Sequence, residues 1–140
     1  MIESRRIYID TSPYIYYLEK NIIYGNKVKR FLMAHYDSGT KFITSAITIE
    51  EYSIVPYREK NAKLLNDFDM LIEDTETDVI DITKSIAKKA AQIRAEYKNF
   101  KSMDALQLAA AVKSGCIIFL MNDKQLRQFK ELTVLTMEDL

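Results

Sequence analysis

The sequence predicts an α/β domain of three layers, α/β/α, around a parallel sheet of four to five strands. Two observations carry that expectation. Short apolar runs alternate with longer stretches whose apolar residues recur at helical spacing, which is the pattern of βαβ units. Glycine and proline are scarce, 3 and 2 in 140 residues, so the chain shows no linker, and no repeat or low-complexity stretch is visible.

The elements can be justified in order. A first strand is expected at residues 6–10, where Ile7-Tyr8-Ile9 precedes Asp10. Ser12-Pro13 follows as an N-cap and a proline at the first helical position, opening a helix to about residue 20. A second helix is expected over 25–36, with Val28, Phe31, Leu32 and Tyr36 on one face and Asp37-Ser38-Gly39 ending it. Residues 41–44 read as a strand. Ser45 then caps a helix through Ile54 that Pro56 ends or kinks, and another helix covers about 59–72. Residues 78–82 form a strand, and Thr83 opens a helix with Ile86, Ala90, Ile93 and Tyr97 at core spacing. Ser102 or Met103 starts the next helix, which Gly115 terminates. Residues 117–121 are the most apolar run and so the expected central strand, buried on both faces. A short helix over 124–129 and a strand at 132–135 complete five strands and about seven helices. Right-handed crossovers would place helices on both sheet faces.

Size and composition narrow the function. A chain of 140 residues fits one domain spanning 1–140, able to bury roughly 70% of the surface its unfolded form exposes. The only cysteine, Cys116, permits no internal disulfide, and its apolar flanks predict a buried thiol in a reducing compartment. The opening MIESRRIYID has too short an apolar run for a signal peptide. No stretch approaches the roughly 20 apolar residues of a membrane helix. A cytoplasmic protein without membrane contact is expected. Lys+Arg and Asp+Glu both number 20, so overall charge names no partner. The distribution is uneven: residues 67–81 hold seven acids and no Lys or Arg, whereas 84–101 hold six basic residues and one acid, Glu96. Arg94, Lys98 and Lys101, spaced by four and three, would form one stripe on a helix reaching Lys101. Such a stripe could follow a phosphate backbone or simply face solvent.

Four acids carry the chemistry. Asp10 and Asp123 each follow an apolar run, at the strand ends where open α/β sheets bind ligands. Glu51 and Asp104 lie near the starts of helical segments. Singly, each has a local explanation: an Asx turn for Asp10, an N-cap for Asp123, the helix macrodipole for Asp104, an exposed helical position for Glu51. Together, carboxylates that converge without cations repel one another and need a metal or protons to coexist. Mg²⁺ prefers oxygen ligands and keeps several waters, so a few carboxylates plus a substrate phosphate suit it. The sole histidine, His35, falls on a predicted helix away from these ends and reads as structural, and no Gly-rich phosphate loop is present.

The order and spacing of these acids bring a resemblance. YIDTSPYIYYLE (8–19), TSAITIEEYSIVP (44–56), IRAEYKNFKSMDALQLAAAVKSG (93–115) and FLMNDKQL (119–126) resemble, in order, the motifs of PIN-domain proteins. The kind most resembled is the ribonuclease toxin of VapBC-type toxin–antitoxin pairs. In the second motif the acid stands three positions after the Thr of Ile-Thr-Ile, which selects Glu51 over Glu50. The resemblance implies a PIN-like sheet of strand order 3-2-1-4-5. It implies a Mg²⁺- or Mn²⁺-dependent endoribonuclease leaving 5′-phosphate and 3′-hydroxyl ends. Asp10, Glu51, Asp104 and Asp123 would bind the metal and act in catalysis, with Ser12 and Asn122 orienting ligands or the attacking water. It implies a small antitoxin partner and a homodimer, for which the aromatic-rich segment 14–24 (Tyr14, Ile15, Tyr17, Leu18, Ile22, Ile23, Tyr24) offers a surface or else packs the domain's own second layer. The family usually carries a hydroxyl residue where this chain has Met121. A degenerate PIN-like domain that binds RNA or a protein without cutting is the alternative, and a receiver-like phosphoacceptor domain a weaker one.

Overall fold

The structure is a computed structural model that describes residues 5–140. The first four residues, on which part of the signal-peptide reading rests, lie outside it. The chain runs β1 (Arg6–Ile9), α1 (Thr11–Leu18), α2 (Gly25–Asp37), β2 (Lys41–Ser45), α3 (Ala46–Arg58), α4 (Ala62–Asp74), β3 (Asp78–Ile80), α5 (Lys84–Glu96), α6 (Ser102–Lys113), β4 (Ile118–Leu120) and β5 (Thr133–Leu135). Two 3₁₀ turns, Lys124–Gln128 and Met137–Asp139, flank β5. All five strands are parallel, in the order β3-β2-β1-β4-β5. The sheet and its order are as expected.

Alternation along β1 builds two cores, since successive strand residues face opposite sides. Ile7 and Ile9 join Tyr14, Val28, Leu32, Phe42, Tyr52 and Phe68 under α1–α4. Tyr8 faces the other way, with Ile86, Ile93, Leu108 and Phe119 under α5 and α6. Its ring stacks on Phe119 at 5.1 Å between centroids. Cys116 is a free, buried thiol, as its flanks predicted, and burial pushes it up to about 12. Among the described residues no helix is long and apolar enough to cross a membrane.

Several boundaries differ from expectation. The first helix is capped by Asp10 rather than Ser12, which puts Pro13 at the third helical position. Its missing N–H costs nothing there, because the first turn has no intrahelical acceptors to supply. Pro56 lies inside α3, which runs on to Arg58. Only the helix end lies beyond it, and the Asn61 N–H closes the turn onto the Pro56 carbonyl at 2.8 Å. The centre of the sheet is β1, with β4 beside it. Both are paired on each edge, so an apolar run alone does not separate the middle strand from its neighbour. Ser45 and Thr83 cap α3 and α5 as their positions predicted. Gly115, at φ +73°, follows α6 in the left-handed conformation that ends helices.

Candidate active site at the switch point of the sheet

The topology makes β1 and β4 neighbours, with Ile9 in register with Leu120. The Asp10 N–H donates to the Leu120 carbonyl at 3.0 Å, which fixes the end of β1 against β4. Here the chain continues to opposite sides of the sheet, the position at which open α/β folds bind ligands. Asp10 enters from the residue after β1, Glu51 from the first half of α3, Asp104 from the first turn of α6, and Asp123 from the third residue after β4. Asp10, Glu51 and Asp104 are half-buried and Asp123 is exposed.

Electrostatics show that the acids face one another. Burial pushes the Asp10 carboxyl up to about 7; the charges of Glu51, Asp104 and Asp123 add to the rise, and a backbone hydrogen bond from Thr11 opposes it. Burial also raises Asp104, followed by Asp123 and Glu51, while Lys101 lowers it. Among the described residues, no three His, Cys, Asp or Glu side chains are already gathered as a ready ligand cluster. All four are hard oxygen donors, and the charges of Glu51 and Asp123 raise both Asp10 and Asp104, so their chemistry fits a divalent cation of the Mg²⁺ class.

Neutral groups hold two of the acids. Gln107, 2% exposed, sits one helical turn after Asp104 on α6. Its Nε2 donates to Asp10 Oδ1 at 2.6 Å and Glu51 Oε1 at 3.2 Å. Thr11 Oγ1 also donates to Glu51 Oε1, at 2.7 Å. Beneath them the Tyr8 hydroxyl donates to the Gln107 carbonyl and lies 2.8 Å from Ser45 Oγ, and Thr48 Oγ1 donates to the same carbonyl at 3.2 Å. Burial raises Tyr8 far above the phenol range, so it remains a donor.

Sequence reasoning assigned the orienting role to Ser12 and Asn122. The structure gives side-chain hydrogen bonds with the acids to Thr11 and Gln107. Asn122 Nδ2 donates to the Tyr16 hydroxyl at 2.8 Å, and among the described residues Ser12 makes no side-chain hydrogen bond to the acids. The available signals were slight: Thr11 adjoins Asp10, and Gln107 lies at i+3 from Asp104, hence on the same helical face. Asp123 also does the local work that its position suggested, capping the following turn through Gln125 N–H at 3.0 Å. Met121 is fully buried, and its sulfur accepts the Asp123 N–H at 3.3 Å.

The expected basic stripe is not one helical face. Helix α5 stops at Glu96, leaving Lys98 and Lys101 on the connection to α6. Arg94 Nη1 donates to Ser102 Oγ at 2.8 Å and Nε to the Phe100 carbonyl at 3.2 Å, which ties the connection down. The stacked rings of Tyr97 and Phe100 turn the chain there. The aromatic-rich segment divides as well. Tyr14 is buried, edge-on to Phe68, whereas Ile22 and Ile23 are 98% and 68% exposed.

Comparison with known proteins places the family and the fold. A family profile described as PIN domain matches residues 7–132. No curated protein matches the chain by sequence. Among solved structures the chain is similar to VapBC2 from Rickettsia felis bound to a DNA fragment from its promoter. The TM-score is 0.79 at 13% identity, over 94% of this chain and 98% of that one. It is also similar to a toxin–antitoxin complex from Klebsiella pneumoniae, with TM-score 0.72 and 23% identity over 96% and 99% of the two chains. A third is VapC20 of Mycobacterium tuberculosis, a sarcin-ricin loop cleaving toxin, with TM-score 0.67 and 16% identity over 88% and 95%. At these identities the likeness is one of fold.

Proposed function

Because the chain belongs to the PIN domain family, we propose that it is a Mg²⁺- or Mn²⁺-dependent endoribonuclease and the toxin of a toxin–antitoxin pair. The observation that carries this reading is the set of four acids at the β1–β4 switch point, of which Asp10 is pushed up to about 7 by burial and by the other three. Asp10, Glu51, Asp104 and Asp123 would hold the cation. A bound divalent ion lowers the pKa of a water and stabilises developing oxyanion charge at phosphorus. The chain's own residues do the rest. Asp10 and Glu51 are held by Gln107, Glu51 also by Thr11, and Lys101 lies close enough to Asp104 to lower its pKa. A substrate phosphate bound at Lys101 would stand beside the acids. Water would add at phosphorus and the bond to the 3′ oxygen would break, leaving 5′-phosphate and 3′-hydroxyl ends. Incubation with total RNA tests this: cleavage should appear with Mg²⁺ or Mn²⁺ and stop with chelator, and mapping the cut sites names the target.

Met121, which fills the family's usual hydroxyl position, favours a second reading, a domain that binds RNA without cutting it. Binding without cleavage under any divalent cation would establish that reading.

Lys98 and Lys101 are exposed on the connection to α6, and Lys101 is close enough to Asp104 to lower its pKa. Replacing both by alanine should weaken RNA binding across sequences and flatten the salt dependence by about one unit of log–log slope per lost phosphate contact. Adding Arg94→Ala should mainly loosen the α5–α6 connection it braces, and so lower thermal stability. An unchanged salt slope in the triple variant would assign these cations to solvent.

A small antitoxin and a homodimer complete the reading, in a cytoplasmic protein. Its solved neighbours include toxin–antitoxin complexes, and Ile22 and Ile23 offer exposed apolar surface. An antitoxin carrying Arg or Lys would pair with the four acids when metal is absent. A small adjacent gene whose product co-purifies with the chain supports the pairing. A chain that sediments as a monomer at high concentration removes the homodimer.

A further inference from the structure

We propose that Gln107 is the positioning residue of the acidic site, its carboxamide holding Asp10 and Glu51 in the arrangement that receives a divalent cation. This rests on the metal-dependent reading above and deepens it.

The geometry is directional. A carboxamide offers two N–H donors on one end and one carbonyl on the other. The shortest contacts of Gln107 Nε2 are to carboxylates, at 2.6 Å to Asp10 Oδ1 and 3.2 Å to Glu51 Oε1, with Thr11 Oγ1 farther off at 3.5 Å. The carbonyl is engaged from the opposite side by the hydroxyls of Tyr8 and Thr48. Turning the amide over would set its N–H groups against those two hydroxyls and its oxygen against two anions. The two anions exclude the turned-over amide, and the hydroxyls of Tyr8 and Thr48, which can accept or donate, seat its carbonyl in the orientation the acids demand. Each bridged acid has a further anchor: Asp10 through its N–H to Leu120, Glu51 through Thr11. Asp104 lies one turn earlier on the same helix as Gln107, so one rigid element sets three of the four acids relative to one another.

A neutral donor pair suits this place. A lysine or arginine would neutralise the acids and compete with a cation, whereas an amide satisfies one lone pair on each carboxylate and leaves the others for a metal. Groups that hydrogen-bond the ligating side chains orient them, and losing one typically weakens metal binding about 10–100-fold.

The test is calorimetric titration of Mn²⁺ into the metal-free full chain, run well below its melting temperature. Gln107→Met keeps the volume and removes both donors; Tyr8→Phe keeps the donors and removes the anchor; Ile93→Val is a core control beside α6. The dissociation constant should rise about 10-fold or more in Gln107→Met and by a smaller factor in Tyr8→Phe, and should not change in Ile93→Val even though its melting temperature falls. A Gln107→Met variant that binds Mn²⁺ as tightly as wild type, or more tightly, overturns the proposal, the tighter case meaning that the amide competes with the ion. Should Gln107→Met fail to fold, Tyr8→Phe decides by the same readout. Wild-type protein that takes up no Mn²⁺ would refute the metal-dependent reading itself, a result separable from equal binding by wild type and variant.

Discussion

Asp10→Asn should abolish RNA cleavage and leave the fold intact. The side chain lies where β1 meets β4, and its backbone N–H, which the substitution keeps, bonds Leu120. Asparagine has nearly the same volume, and its carbonyl oxygen can still accept from Gln107. What it lacks is the negative charge that a cation would need. Asp10 acts through the cation it would hold: removing one group that stabilises developing charge costs about 100–1000-fold in rate, and weakening the ion itself should take the loss to the detection limit. Stability should move the other way. Burial and three facing carboxylates make the ionised Asp10 costly, so the metal-free variant should melt no lower than wild type at pH 8. Retained cleavage in a metal-dependent assay, within tenfold of wild type, would sink the assignment of Asp10.

The second large effect is on melting temperature, and its sign follows from the same carboxyl. Asp10 titrates near 3.8 when unperturbed and near 7 in the folded protein. Between those values the native state holds a proton that the unfolded chain has released, so stability falls as pH rises. For this group, metal-free stability is therefore highest below about pH 4, declines up to about pH 7 and is level beyond. A cation that binds the ionised acids offsets that loss, and its effect should be greater at pH 8 than at pH 6, where protons compete. At a concentration a hundred times its dissociation constant, binding adds about 2.7 kcal/mol, or a rise of roughly 5–10 °C for a chain of this size. Melting curves with and without millimolar Mn²⁺ at the two pH values measure it. No shift at either pH would point to a domain that does not take up metal.

Much of the fold was legible because its signals are local. Apolar runs bounded by Asp10 and Asp123, hydroxyl caps at Ser45 and Thr83, and a glycine at 115 each act within a few residues of themselves. Boundaries went astray where tertiary packing overrides a local preference. Pro56 is tolerated inside α3 because only the helix end follows it. The helix that would have to reach Lys101 for a basic stripe stops at Glu96, where Tyr97 and Phe100 stack and Arg94 grips the turn. The aromatic segment near the first helix looked like one surface, yet the fold buries Tyr14 and exposes Ile22 and Ile23.

By itself the sequence determined the parallel α/β architecture and the positions of four acids at strand ends and helix starts, since period, caps and charge are properties of short windows. The resemblance of its motifs added the strand order. Only the tertiary structure decided how those acids are held. Gln107 reaches Asp10 across 97 positions and Glu51 across 56, and Tyr8 reaches Gln107 across 99. No local pattern encodes such pairs; they arise when β1, α3 and α6 pack around one buried carboxamide. Burial there also converts Asp10 from an ordinary carboxylate into one that titrates near neutrality, because the cost of a charge depends on what surrounds it and not on its place in the chain.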